Sequence, residues 1–198
     1  MSAFILFMVV TIIASPPVFA KTESTLKSAL TAFDNEQFEQ ALAPLESYAN
    51  QGSAEAQYRL GMMYRFAWGV DKDFVKARKY FERAAEENHA EAQSELGKIH
   101  KDGRGTKRDY ALAAKWFERA GRNSQGISQL NLARMYEKGR GVPKSFPDAW
   151  AWYSMAISNQ YMDAMGRRGK LQGKMTDEQI AEGKAVVARL KAEMGISK

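Results

Sequence analysis

The chain has 198 residues, 45% of them hydrophobic and 26% charged, with a net charge of +6. These are the values of a globular protein and exclude a collagen-like, low-complexity or multi-span membrane chain. With no cysteine at all, disulfides, thiolate metal sites, cysteine nucleophiles and lipid attachment to a cysteine are excluded too.

Residues 1–20 read as a signal peptide. The apolar run from Phe4 to Ala14 is shorter than the ~20 residues a spanning helix needs, and Pro16-Pro17 follows it directly. Val18-Phe19-Ala20 offers a signal peptidase small or moderate residues, so the mature chain is expected to begin at Lys21 and to be exported to the periplasm of a Gram-negative bacterium. Met1-Ser2-Ala3 carries no Lys or Arg, which leaves an uncleaved membrane anchor as the alternative.

Beyond this segment three blocks align without a gap at an offset of 36, over 53–88, 89–124 and 125–160. Ala54-Glu55-Ala56-Gln57 in the first block returns as Ala90-Glu91-Ala92-Gln93 in the second, and Gln129, Leu132 and Ala133 persist in the third. Tyr64, His100 and Tyr136 share one position, Gly69, Gly105 and Gly141 another, and Tyr80, Trp116 and Trp152 a third. Within each block the apolar residues fall twice at helical spacing around a glycine-containing stretch, which predicts a helix hairpin, helix A over about 53–66 and helix B over about 74–87 of the first block. Ser145 reads as the cap of the third helix B, with Pro147 in its first turn.

Residues 21–52 keep the same register through Leu26, Leu30, Phe33, Phe38, Ala41 and Leu45, as a divergent N-terminal repeat with a shortened Asp34-Asn35 turn. Residues 161–198 are expected to close the array: Met162, Ala164 and Met165 begin another helix A, and Thr176 to Gln179 spell a capping box before a last helix striped by Ile180, Val187, Leu190 and Met194. Divergent ends shield the terminal apolar faces of a solenoid.

Ala54-Glu55-Ala56-Gln57-Tyr58-Arg59-Leu60-Gly61-Met62-Met63-Tyr64, the helix-B aromatic pair and the closing alanines resemble the Sel-one-like repeat (SLR) family, relatives of the tetratricopeptide repeats. The match is dense over 53–160 and looser over 24–52 and 161–198. The resemblance implies an all-α, right-handed superhelical solenoid with helices A lining a concave face, used as a scaffold or adaptor. Among its exported bacterial members it implies envelope, signalling, motility and host-interaction roles.

On that geometry the residues of helix A opposite its core stripe line the groove: Glu55, Tyr58, Met62 and Arg65, then Glu91, Ser94, Lys98 and Lys101, then Ile127, Leu130, Arg134 and Glu137. They vary between blocks, as a binding groove requires and as unselected solvent-facing positions also allow. Tyr58 and Met62 are the candidate apolar anchors; Arg65, Lys98, Lys101 and Arg134 are the candidate partners of acidic groups. Residues 21–52 carry two cations and five anions, whereas 89–124 carry eight and five. Lys98, Lys101, Arg104, Lys107 and Arg108 therefore gather at one A-to-B connection, either to attract an acidic protein segment or anionic polymer or as a solvated loop. Phe66-Ala67-Trp68 replaces the polar Asp102-Gly103-Arg104 of the next block, which makes Phe66 and Trp68 either an aromatic anchor or packing beneath the short first hairpin.

Catalytic residue types are scarce. His100 takes the place of packing tyrosines, and His89 has no metal-ligand partner at useful spacing. Ser24-Thr25-Leu26-Lys27 satisfies the S-x-x-K pattern of penicillin-recognising serine enzymes without their companion motifs. The expected function is a non-enzymatic periplasmic scaffold that holds a protein or peptide in its concave groove, without cofactor, metal or nucleic acid. Two alternatives are a β-lactamase-like or peptidoglycan-acting protein and a structural part of an envelope machine such as a flagellar motor.

Overall fold

A computed structural model describes residues 18–196, with side chains from Leu26 onward. The expected signal segment falls on residues 1–20, of which 1–17 lie outside the described residues, and Ser24 of the S-x-x-K pattern precedes the described side chains. Among the described residues ten helices follow in order: α1 (Val18–Asp34), α2 (Phe38–Asn50), α3 (Ala54–Phe66), α4 (Phe74–Glu86), α5 (Ala90–Asp102), α6 (Tyr110–Arg122), α7 (Gly126–Lys138), α8 (Phe146–Ser158), α9 (Asp163–Gln172) and α10 (Asp177–Glu193). Each packs against its chain neighbours as far as α9, giving an α-solenoid of stacked hairpins with no strand among the described residues.

Local chemistry sets each boundary. The A helices α3, α5 and α7 end on a left-handed residue, Ala67, Gly103 or Gly139, whose N–H bonds back to Met63, Ile99 or Met135. The B helices start on side-chain caps: Asp73 accepts from Val75 and Lys76, Asp109 from Leu112, and Ser145 from Asp148. Between cap and helix end lies the second repeated glycine, and Gly141 at φ +75° lies so close to the Tyr110 backbone that a Cβ would come within 2.2 Å of it. Only glycine permits both the torsion and the approach.

The junction from each helix B to the next helix A carries the most regular polar contact of the fold. Gln57, Gln93 and Gln129, all buried, donate from Nε2 to the carbonyls of Ala49, Ala85 and Gly121 at 3.0, 3.3 and 2.7 Å. Those carbonyls lie in the last turn of the preceding helix, where no intrahelical N–H reaches them. Asn123 and Asn159 then donate to the Oε1 of Gln93 and Gln129 at 3.1 and 2.9 Å. The corresponding position of the first repeat is Glu87, and the buried Oε1 of Gln57 has no partner.

The array closes differently at its C-terminus. Thr176 and Gln179 form the reciprocal capping box that their spacing predicts. The helix it opens, α10, packs on α8 rather than pairing with α9, and buries Gly183, Val186 and Leu190. Val187 of the expected stripe is only partly buried and Val186 takes the core place, because Gly183 sets the rotation of α10 by its approach to Pro147 and Trp150.

Two stability predictions follow from these contacts. Glu87→Asn should give Gln57 its missing donor and raise the unfolding free energy by about 1 kcal/mol, read as a higher urea midpoint at unchanged slope. His100, buried where the other repeats hold Tyr64 and Tyr136, has an unpartnered Nδ1, and Arg78, Glu82 and Asp109 are the charges around it. Burial holds its pKa below the ordinary 6.5, so the unfolded chain takes up the proton first. The stability tied to neutral His100 is complete above that value and is lost as pH falls below it. His100→Tyr should flatten the melting temperature between pH 7 and pH 5, about the ordinary histidine range.

Candidate functional site

The residues expected to line a groove on the A helices divide into two groups. Tyr58 stacks on His89 with ring centroids 4.7 Å apart and is half-buried, and Met62 packs into the cores of the first two hairpins. His89 itself caps α5, accepting from Ala92 through Nδ1 while Nε2 meets Glu55 at 2.9 Å. That hydrogen bond, opposed by burial and supported by Arg59, holds the Glu55 carboxyl below the usual range. Ser94 and Leu130, read as solvent-facing, are buried at 3% and 5% exposure. Successive A helices stack on each other, and Ser128 donates to Ser94 across the α5–α7 seam at 2.8 Å.

Arg65 and Lys98 are not free cations. Both pair with Glu95, Lys98 at 2.8 Å, and the carboxylate side chain is only 8% exposed. Burial first, then the neighbouring Arg65, lowers the pKa of Lys98, as expected of two cations crowded on one acid. Glu95 stands where the flanking repeats hold Arg59 and Asn131, so its identity marks it in the sequence, but its role needs the cross-repeat contact with Arg65.

Phe66 and Trp68 form one end of an aromatic ladder. Trp68 stacks on Phe38 at 5.2 Å and meets the edge of Phe33 at 5.9 Å, partly buried beneath the first hairpin. Phe66 stacks on the outer side of this group at 4.9 Å from Trp68 and remains 42% exposed, with the Arg65 guanidinium 4.8 Å from its ring.

Lys101 and Arg134 meet in a cavity of about 220 Å³ where α5, α7 and their connections converge. Arg108, Tyr110, Lys138 and Arg140 complete its charged wall, and Asp102 is the single carboxylate in the lining. Arg108 and Arg140 each place their guanidinium 5.9 Å from the centre of the Tyr110 ring. Asp102 lies 3.7 Å from both Lys101 and Arg104, whereas Arg108, Arg134, Lys138 and Arg140 enter no ion pair among the described residues. Unneutralised guanidinium groups converging on a concave site favour carboxylate or another planar anion, which they bind in bidentate fashion. The sequence marks the second repeat's share of this cluster; Arg140, 36 residues after Arg104, joins it only through stacking.

Among the described residues there is no group of three His, Asp or Glu side chains placed to hold a metal ion, and no helix long and apolar enough to cross a membrane.

Comparison with known proteins agrees with this architecture. The family model "Sel1 repeat" matches residues 54–89, 90–124 and 126–161. The crystal structure of a Sel1 repeat protein from Oxalobacter formigenes superposes with a TM-score of 0.70 at 25% identity, over 73% of this chain and 59% of that one. A protective antigen of uropathogenic Escherichia coli strains, c5321, which displays an SLR fold, superposes with a TM-score of 0.73 at 28% identity, over 90% of this chain and 42% of that one. The chain thus spans about half the length of these solved relatives. No functionally curated protein matches the sequence.

The shared Glu95 carboxylate generates a test of the site's framework. Glu95→Gln should leave Arg65 and Lys98 facing each other and destabilise the chain by about 2 kcal/mol, less than a fully buried pair costs because Lys98 reaches solvent. Lys98→Ala added to that variant should recover part of the loss, measured as non-additivity in urea unfolding.

Proposed function

We propose that this chain, which belongs to the Sel1 repeat family, is an exported protein-interaction scaffold that captures an acidic segment of a protein partner in the cleft between its second and third repeats. Sel1 repeat proteins generally serve as protein-interaction scaffolds. The observation that carries the reading is the convergence of Arg108, Arg134, Lys138 and Arg140, without an ion pair among the described residues, around Tyr110. A solvated, purely solubilising face would spread such charges and intersperse acids among them. Here two A helices and two connections bring them to one concavity, where low-dielectric walls concentrate their field.

Binding to the A-helix side then works by charge first and packing second. The cleft steers a carboxylate-bearing segment, and Arg134 and Arg140 supply bidentate hydrogen bonds. Phe66, exposed at the head of the aromatic ladder one repeat away, offers an apolar contact along the same row of connections. Tyr58 and Met62, partly buried in the framework, support the surface, and Arg65 and Lys98 hold its shape through Glu95. Nothing in this mechanism uses a covalent step or a cofactor. Export to the periplasm rests on the apolar segment Phe4–Ala14 and the junction at Ala20.

The test is crosslinking and pull-down of the tagged chain from the periplasmic fraction, comparing it with the Arg134→Glu, Arg140→Glu variant. A specific protein captured by the parent should be lost at least about tenfold in the variant, the equivalent of ~1.4 kcal/mol. Both substitutions lie outside the core, so the melting temperature should stay within the range of ordinary surface changes. Equal capture by both chains, or absence of the protein from that fraction, would remove the reading.

A further inference from the structure

The last helix of the chain shows what the B-helix side of this solenoid can hold. α10 lies on α8 with Gly183 against Pro147 and Trp150, and its far end reaches α6, where Glu193 pairs with Arg122 at 2.8 Å. Val186, Arg189 and Leu190 thereby sit in the groove between α6 and α8, over Tyr136, Trp152, Glu118 and Asp148. Only about 210 Å³ of that groove stays open beside the helix.

Two repeats earlier the same positions form the groove between α2 and α4. Subtracting 72 turns Tyr136 into Tyr64, Trp152 into Tyr80 and Glu118 into Glu46, and these three residues line a depression of about 440 Å³. Its aromatic floor is in place, with Tyr64 and Tyr80 stacked 5.7 Å apart and nearly parallel. What differs is the charge. Asp148 becomes Lys76 and Ala151 becomes Lys79, both exposed, and Arg83 adds a third cation in place of Met155. The α6–α8 groove presents two carboxylates and one cation, Arg122, beside Arg189, whereas the α2–α4 groove presents three cations beside one carboxylate.

We infer that the groove between α2 and α4 is a second docking site, shaped for an amphipathic helix of a protein partner with an apolar i, i+4 pair and an acidic flank. The apolar pair takes the places of Val186 and Leu190 over Tyr64 and Tyr80. A carboxylate replaces Arg189, because Lys76 stands in the place of Asp148, which lines the groove beside Arg189. Helix-in-groove recognition reads this i, i+4 pattern, and the sign of the flanking charge selects the partner. This site is independent of the arginine cleft on the A-helix side.

The test uses the full chain and two helix-stapled fluorescent peptides with the sequence of residues 176–195, one unaltered and one with Arg189→Glu. The acidic peptide should bind saturably by anisotropy, and the unaltered one should bind at least tenfold more weakly. The Lys76→Asp, Lys79→Ala chain, which recreates the residues of α8 in α4, should reverse that preference. The Arg134→Glu, Arg140→Glu chain should bind the acidic peptide as the parent does. No saturable binding of the acidic peptide overturns the inference. So does unchanged preference in the Lys76 and Lys79 variant, or loss of binding in the Arg134 and Arg140 variant, either of which places the peptide outside this groove.

Discussion

A buried glutamine amide bonded to the last carbonyl turn of the preceding helix is the contact on which the rest of this structure depends. It occurs at Gln57, Gln93 and Gln129, each time eight residues after its acceptor. A carbonyl has two lone pairs, and the turn N–H of Gly52, Asn88 or Ser124 takes only one of them at each of these positions. By supplying a second donor from the next helix, the chain ties each hairpin to its neighbour. Stacking thus becomes specific as well as favourable, since hydrophobic burial alone is indifferent to rotation and register.

This register determines which surfaces remain for partners. Helices A lean on one another closely enough to bury Ser94, Ser128 and Leu130, so most of their outward face is framework. Part of the charge there is consumed internally, as Glu95 shows by holding Arg65 and Lys98. Free surface chemistry gathers at the end of α7, which carries Arg134 and Lys138, and at the connections, where left-handed glycines hold the backbone in place. The arginine cleft around Tyr110 and the exposed ring of Phe66 both lie along that row.

How much of the candidate site was legible depended on whether its residues act within one repeat or between two. The hairpins, their caps at Ser145 and Thr176, and the basic connection after α5 all follow from spacing, because they obey local rules of periodicity and capping. Trp68 was open between two roles, and contact with Phe33 and Phe38 across the shortened first turn shows it packed under the first hairpin. Glu95 departs from the repeat pattern, but its role could not be read, since its partner Arg65 lies 30 residues away on a different helix. Val186 displaced Val187 from the expected stripe for a related reason: the rotation of α10 is set by how closely Gly183 approaches Trp150.

By itself the sequence determined an all-α solenoid, its period of 36, the places where each helix starts and stops, and an uneven distribution of charge. These are properties of short segments, and the free energies behind them, propensity, capping and periodic burial, are summed along the chain. Only the tertiary structure decided which cations are neutralised and which stay free, and that α10 fills one B-helix groove while the equivalent groove at α2 and α4 stays open. Apart from the pairing of Lys98 with Glu95, those outcomes depend on distances between residues 30 or more positions apart. Such distances are set by the small rotation from each hairpin to the next, which no local sequence rule specifies.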